Sequence, residues 1–120
     1  MNLVGLVGTA SLVVGPGDLA LALGSGDVEV LGTPRLVALC EEATVAAIAD
    51  HLDPGQTSVG MRVELDHLSP NRLGDEVTAT ARVVEVDRRR VTFDVEASSA
   101  GVVVGRGIVT RVVVDRERFG

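Results

Sequence analysis

Residues Pro34–Leu52 read PRLVALCEEATVAAIADHL, and their spacing is that of one helix. Thr33 is a residue type that caps helices, and Pro34 suits the first turn, where a missing N–H costs no hydrogen bond. Asp53-Pro54-Gly55 ends the run. At ~100° per residue, Val37, Val45, Ile48 and Leu52 fall within an arc of roughly 80°, with Glu41 in its middle. Glu42 lies about 100° away beside Arg35, Ala46 and Asp50, where a charge reaches water. Glu41 therefore points into the apolar face. Desolvation there should push its pKa upward, and sequences tolerate such a group mainly where chemistry is done. Leu36, Leu39 and Ala43 lie outside the arc, so the helix is apolar nearly all round and must be buried on most sides.

Strand patterns surround this helix. Residues 3–14 alternate weakly, and Gly15-Pro16-Gly17-Asp18 is a turn. Residues 19–32 contain the loop Gly24-Ser25-Gly26-Asp27, with flanks that fit short helix or strand. Ser58–Leu68 alternates, with Val59, Met61, Val63 and Leu65 on one face and Arg62, Glu64 and Asp66 on the other. Asp75–Asp87 puts Val77, Ala79, Ala81 and Val83 on one face, and Arg90–Ser98 does the same with Val91, Phe93, Val95 and Ala97. The short turns Asp87–Arg89 and Ser98–Gly101 imply an antiparallel meander. Val102–Val114 is apolar on both faces in places, as a central strand or a subunit contact would be. A strand, a helix and then four strands, with one helix to cover the sheet, predict an α+β hotdog architecture. In it a curved antiparallel sheet of about five strands wraps one central helix. The other arrangement is an open layer with the helix on one face.

Composition narrows the function. A chain of 120 residues forms one domain, 1–120. It is 46% hydrophobic but only 2% aromatic, so its core is Val, Leu and Ala. Net charge is −6 and every basic residue is Arg; an acidic chain without aromatic platforms is not a nucleic-acid binder. The single Cys40 excludes an internal disulfide and a cysteine-rich metal site, and its helical position fits a buried apolar thiol better than a nucleophile. Residues 1–15 lack a basic leader, and no segment approaches the ~18 apolar residues of a membrane span, so the expected location is the cytoplasm.

Three residues join Glu41. His67 continues the alternation of Val59, Met61, Val63 and Leu65, which turns it toward the helix. Alone it reads as a core histidine satisfied by a carbonyl. With an inward carboxylate in the same small core it reads as that carboxylate's partner, the pattern of nucleophile or water activation. Thr33 is the helix N-cap, and its hydroxyl stands where the helix dipole favours negative charge. It lies about 12 Å from Glu41 by helical rise, so the two flank a substrate rather than touch. Gly60 falls on the outward face of the strand that carries His67. It either relieves strain or marks a bulge, or it offers its N–H to an oxyanion, and both readings stand.

Thr33-Pro34, then six residues and Glu41, then Pro54-Gly55-Gln56-Thr57-Ser58-Val59-Gly60 and His67, resemble the hotdog thioesterases of the fluoroacetyl-CoA thioesterase type. The likeness runs from about residue 27 onward, through Gly105-Arg106-Gly107, Arg111 and Asp115-Arg116-Glu117-Arg118-Phe119. It implies hydrolysis of an acyl-CoA thioester to an acid and free CoA. Thr33, Glu41 and His67 would be catalytic, with Gly60 and Arg111 at the substrate. It implies no metal, no cofactor beyond the coenzyme A of the substrate, and a homodimer with its site at the interface. Two departures matter. The phenylalanines that cover the fluorinated acyl group in that family have no counterpart in Gly24-Ser25-Gly26-Asp27-Val28. The family's Gly-x-His-x-Arg reads Gly107-Ile108-Val109-Thr110-Arg111, with Val109 in place of His. The expected enzyme is a relative that keeps the hydrolytic set without fluoroacetyl specificity.

Two other functions fit parts of the pattern. A non-catalytic acyl-CoA-binding or scaffold protein would keep the apolar slot without three aligned polar residues. A hydratase needs Asp and His together, but Asp66 and His67, adjacent on a strand, point to opposite faces.

Overall fold

The computed structural model describes residues 2–119. Strand β1 (Val7–Val13) leads through short α1 (Ala20–Leu23) to helix α2 (Thr33–Ile48). Strands β2 (Gln56–His67), β3 (Glu76–Asp87), β4 (Arg90–Ser99) and β5 (Val102–Asp115) follow. All pair antiparallel in one five-stranded sheet of order β1-β3-β4-β5-β2, curled around α2, which packs on every strand. The helix is the crossover that carries the chain from one sheet edge, β1, to the other, β2. Strand β5 lies inside the sheet, which accounts for its apolar residues on both faces.

The expected alternation holds on the two strands deepest under the helix. Val77, Ala79, Ala81 and Val83 of β3 and Val91, Phe93, Val95 and Ala97 of β4 are buried. Burying a side chain the size of Val or Phe contributes about 1.5–3 kcal/mol, so this small-residue face is the main cohesive element. At Gly8 of β1, a Cβ would collide with the backbone of Ala43 and Ala47. That glycine lets the edge strand touch the helix directly.

The helix corrects the sequence reading in two ways. Its fully buried residues are Leu36, Leu39, Cys40, Ala43, Thr44 and Ile48, with Ala47 beside them, while Val45 is 42% exposed. The buried arc is therefore rotated by roughly 110° from the one drawn through Val37, Val45 and Leu52, and Glu41 stands beside it rather than in its middle. A helix apolar on all sides gives periodicity no way to choose between arcs; the sheet, wrapping from β1, made the choice. The N-cap is Gly32 and not Thr33, which is already helical and makes no cap hydrogen bond. Arg35 N–H and Leu36 N–H donate to the Gly32 carbonyl at 3.0 and 3.1 Å. This leaves the Thr33 hydroxyl free for another partner.

Candidate active site

Helix α2 and strand β2 run antiparallel past each other, which sorts the candidate residues into two groups. At the helix start, Thr33 Oγ1 and His67 Nδ1 are 2.8 Å apart; either group supplies the proton, depending on the imidazole tautomer. His67 Nε2 is buried and has no hydrogen-bond partner among the described residues. Burial lowers the His67 pKa from its ordinary value, opposed by a backbone group of Ser69, so the ring is neutral near pH 7. A neutral imidazole against a hydroxyl is a base beside a proton donor.

Two helical turns on, the second group forms around Glu41. Its side chain is 35% exposed, with Oε2 at 3.6 Å from Arg111 Nη1. The Arg111 side chain is 8% exposed and tied to β2 twice. Its Nε donates to Ser58 Oγ at 2.8 Å, and its Nη2 donates to the Ser58 carbonyl at 3.0 Å. Burial lowers the Arg111 pKa and the Glu41 charge partly restores it. The 3.6 Å gap is longer than a hydrogen bond, so the guanidinium stabilises the anion without occupying its lone pairs. Cys40, next along the helix, is pushed up to about 11 by burial and then by the Glu41 charge. It is a buried thiol, not a nucleophile.

The expected pairing of Glu41 with His67 is not what the fold makes. His67 goes to Thr33 and Glu41 to Arg111. The two groups stand about 12 Å apart along the helix, as the Thr33–Glu41 spacing requires.

Gly60 is also corrected, and the cause is a bulge. Arg111 on β5 pairs with Gly60, yet the next residue, Thr110, pairs with Arg62, so Met61 is the extra residue. Side-chain parity reverses there. Gly60 and Ser58 face the helix, as do Val63, Leu65 and His67 beyond the bulge, while Met61 is 48% exposed. A Cβ on Gly60 would stand 2.5 Å from Glu41 Oε2. Strict alternation puts His67 and Gly60 on opposite faces; the bulge puts both on one. Ser58 was missed for the same reason. Its signal is its two-residue spacing from Gly60, visible once a bulge is admitted.

A surface groove of ≈ 790 Å³ lies elsewhere, among outward residues such as Glu64, Arg82, Glu96 and Arg106, and includes none of the candidate site residues. Among the described residues, no group of three or more His, Cys, Asp or Glu is placed to hold a metal ion. Among the described residues, no helix is long and apolar enough to cross a membrane.

Known proteins are similar to this chain in sequence and fold. The family model described as fluoroacetyl-CoA-specific thioesterase matches residues 14–117. The fluoroacetyl-CoA thioesterase of Streptantibioticus cattleyicolor is 35% identical over 91 residues, which are 76% of this chain and 66% of that protein, just under two thirds of its length. A point mutant of the fluoroacetyl-CoA-specific thioesterase FlK, solved with fluoroacetate and CoA, superimposes with a TM-score of 0.88 at 32% identity, covering 98% of each chain. A hot-dog-like protein from Thermanaerovibrio acidaminovorans does so with a TM-score of 0.85 at 30% identity, over 98% of this chain and 93% of that one. The fold is the hotdog that the element order predicts.

Proposed function

Because this chain belongs to the fluoroacetyl-CoA-specific thioesterase family, a family of thioester hydrolases, we propose that it hydrolyses an acyl-CoA to a carboxylic acid and free CoA with Glu41 as the reacting carboxylate. The observation that carries the reading is the Glu41 carboxylate against the bare backbone of Gly60, with the guanidinium of a buried arginine 3.6 Å from it. Glu41 either attacks the thioester carbonyl, releasing the thiol and leaving an anhydride for water, or takes a proton from the attacking water. The Gly60 N–H stabilises the oxyanion. His67, neutral at rest, orients the water or takes its proton as a base and returns that proton to the leaving thiolate, and Thr33 holds the acyl group or passes it on. Neither route requires a metal or an organic cofactor. The missing phenylalanine cover at residues 24–28 supports an acyl group other than fluoroacetyl.

A homodimer with the site at its interface unites the two groups. The free edge of β2 exposes Gly60, Met61 and Arg62. A second copy pairing antiparallel along that edge, centred between Gly60 and His67, sets the partner's His67 opposite Gly60. Each site then takes Glu41, Gly60 and Arg111 from one protomer and Thr33 and His67 from the other. The chain acts as one hotdog domain in the cytoplasm; its lone cysteine is free and buried, as suits a reducing compartment.

The test is Glu41→Ala with a panel of acyl-CoAs and a thiol-detecting dye. The expected result is a folded protein with at least ~10²-fold lower turnover, the scale of acid–base catalysis. Undiminished turnover in a folded Glu41→Ala protein refutes the assignment.

A further inference from the structure

We propose that Ser58 is a positioning residue for the reaction: through Arg111, it sets the distance between the guanidinium and the Glu41 carboxylate. The proposal rests on the reading of Glu41 as the reacting group.

A guanidinium has five N–H donors in a rigid plane. Ser58 takes Nε with its hydroxyl at 2.8 Å and Nη2 with its carbonyl at 3.0 Å. Two bonds to one residue fix the plane and its rotation, which leaves Nη1 to face Glu41 at 3.6 Å. Arg111 is buried, so water does not replace a lost partner cheaply. An arginine free to turn prefers a bidentate fork on a carboxylate, which would occupy the lone pairs that Glu41 needs for water or the thioester. The clamp holds the cation beside the Glu41 carboxylate at 3.6 Å, beyond hydrogen-bond length, which leaves the carboxylate lone pairs free to react.

The placement of Ser58 comes from the bulge at Met61, which turns Ser58 and Gly60 to the helix side together. One local irregularity thus presents both the space for the carboxylate and the anchor for its counter-ion. Removing the hydroxyl leaves the Arg111 Nε–H without its partner while the Ser58 carbonyl remains, so the plane can swing toward Glu41.

The test uses Ser58→Ala and Ser58→Thr in the full chain. It reads kcat and KM with an acyl-CoA that the wild type hydrolyses, and hydrogen exchange of the Arg111 Nε–H by NMR. The expected result for Ser58→Ala is a kcat lower by about 10- to 100-fold, a KM within about twofold, and rapid exchange at Nε. Ser58→Thr, which keeps the hydroxyl, should restore both kcat and slow exchange. Wild-type kcat in Ser58→Ala overturns the proposal whatever Nε does, as does equal loss in the alanine and threonine variants. If the wild-type protein hydrolyses no acyl-CoA in the panel, the hydrolase reading falls. The Nε–H then decides alone: fast exchange in Ser58→Ala only upholds the clamp on Arg111, and unchanged exchange refutes it.

Discussion

Replacing Gly60 by alanine separates the space this residue leaves from the N–H it offers. The added Cβ would stand 2.5 Å from Glu41 Oε2, 3.7 Å from Cδ and 3.9 Å from Arg111 Nη1. Ordinary contact begins at about 3.4 Å, so the carboxylate must retreat by roughly 0.9 Å. Arg111, fixed by Ser58, stands on one side and limits the retreat. A misplacement of about 1 Å at a reacting group costs on the order of 10² in rate, so kcat should fall by about that factor. Stability should hardly change. Gly60 has no positive φ, so alanine takes its backbone without strain, and the clash falls on the end of a flexible, partly exposed side chain. The melting midpoint should stay within a few degrees of wild type, a change below about 1 kcal/mol. The assay is thiol release at saturating acyl-CoA, with circular dichroism as the control for folding. The loss should also be conditional: in a Glu41→Ala background, Gly60→Ala should cost almost nothing, because the atom it collides with has gone. A folded Gly60→Ala enzyme with wild-type kcat refutes the steric argument and leaves the N–H as the residue's whole contribution. An equal loss with and without Glu41 refutes it as well.

Three further outcomes are expected. Light scattering should give a mass near twice the 12.4 kDa chain, and a monomer at micromolar concentration contradicts an interfacial site. Mixing inactive Glu41→Ala and His67→Ala proteins after subunit exchange should restore about a quarter of the wild-type rate, because one of the two sites in each mixed dimer is intact; no recovery after confirmed exchange means that the groups act within one chain. Because burial holds His67 below its ordinary 6.5, the native state binds fewer protons than the unfolded chain just below that pH. Stability should therefore decline as pH falls through 6.5, and urea midpoints at about pH 7 and pH 5.5 should differ less in His67→Gln than in wild type; equal differences refute a buried neutral imidazole.

Much of this protein was legible as pattern. Period two in β3 and β4 names the buried face residue by residue, because both strands lie in the middle of the sheet and neither is bulged across that face. The helix was legible from its proline start and Asp53-Pro54-Gly55 stop, and Glu41 and His67 from their incompatibility with apolar surroundings, whereas Thr33 was read as a helix cap and Arg111 came only from the family resemblance. Glu41, His67, Thr33, Gly60 and Arg111 all stand on the helix or the two strands beside the candidate site.

What pairs with what was decided by the tertiary structure. Helical periodicity states which residues share an arc, but on a helix apolar all round it does not say which arc the sheet will cover. Burial of Leu36, Leu39 and Cys40 therefore displaced Glu41 to the margin, where it meets Arg111. Alternation assigns faces only while the register is unbroken. One extra residue at Met61 turned Gly60 and Ser58 toward the helix and left His67 where it was expected. The chain's local chemistry selects its elements, since propensity and period act over a few residues. The contacts of the site depend on a bulge and a helix rotation, and these are set by packing between segments far apart in sequence.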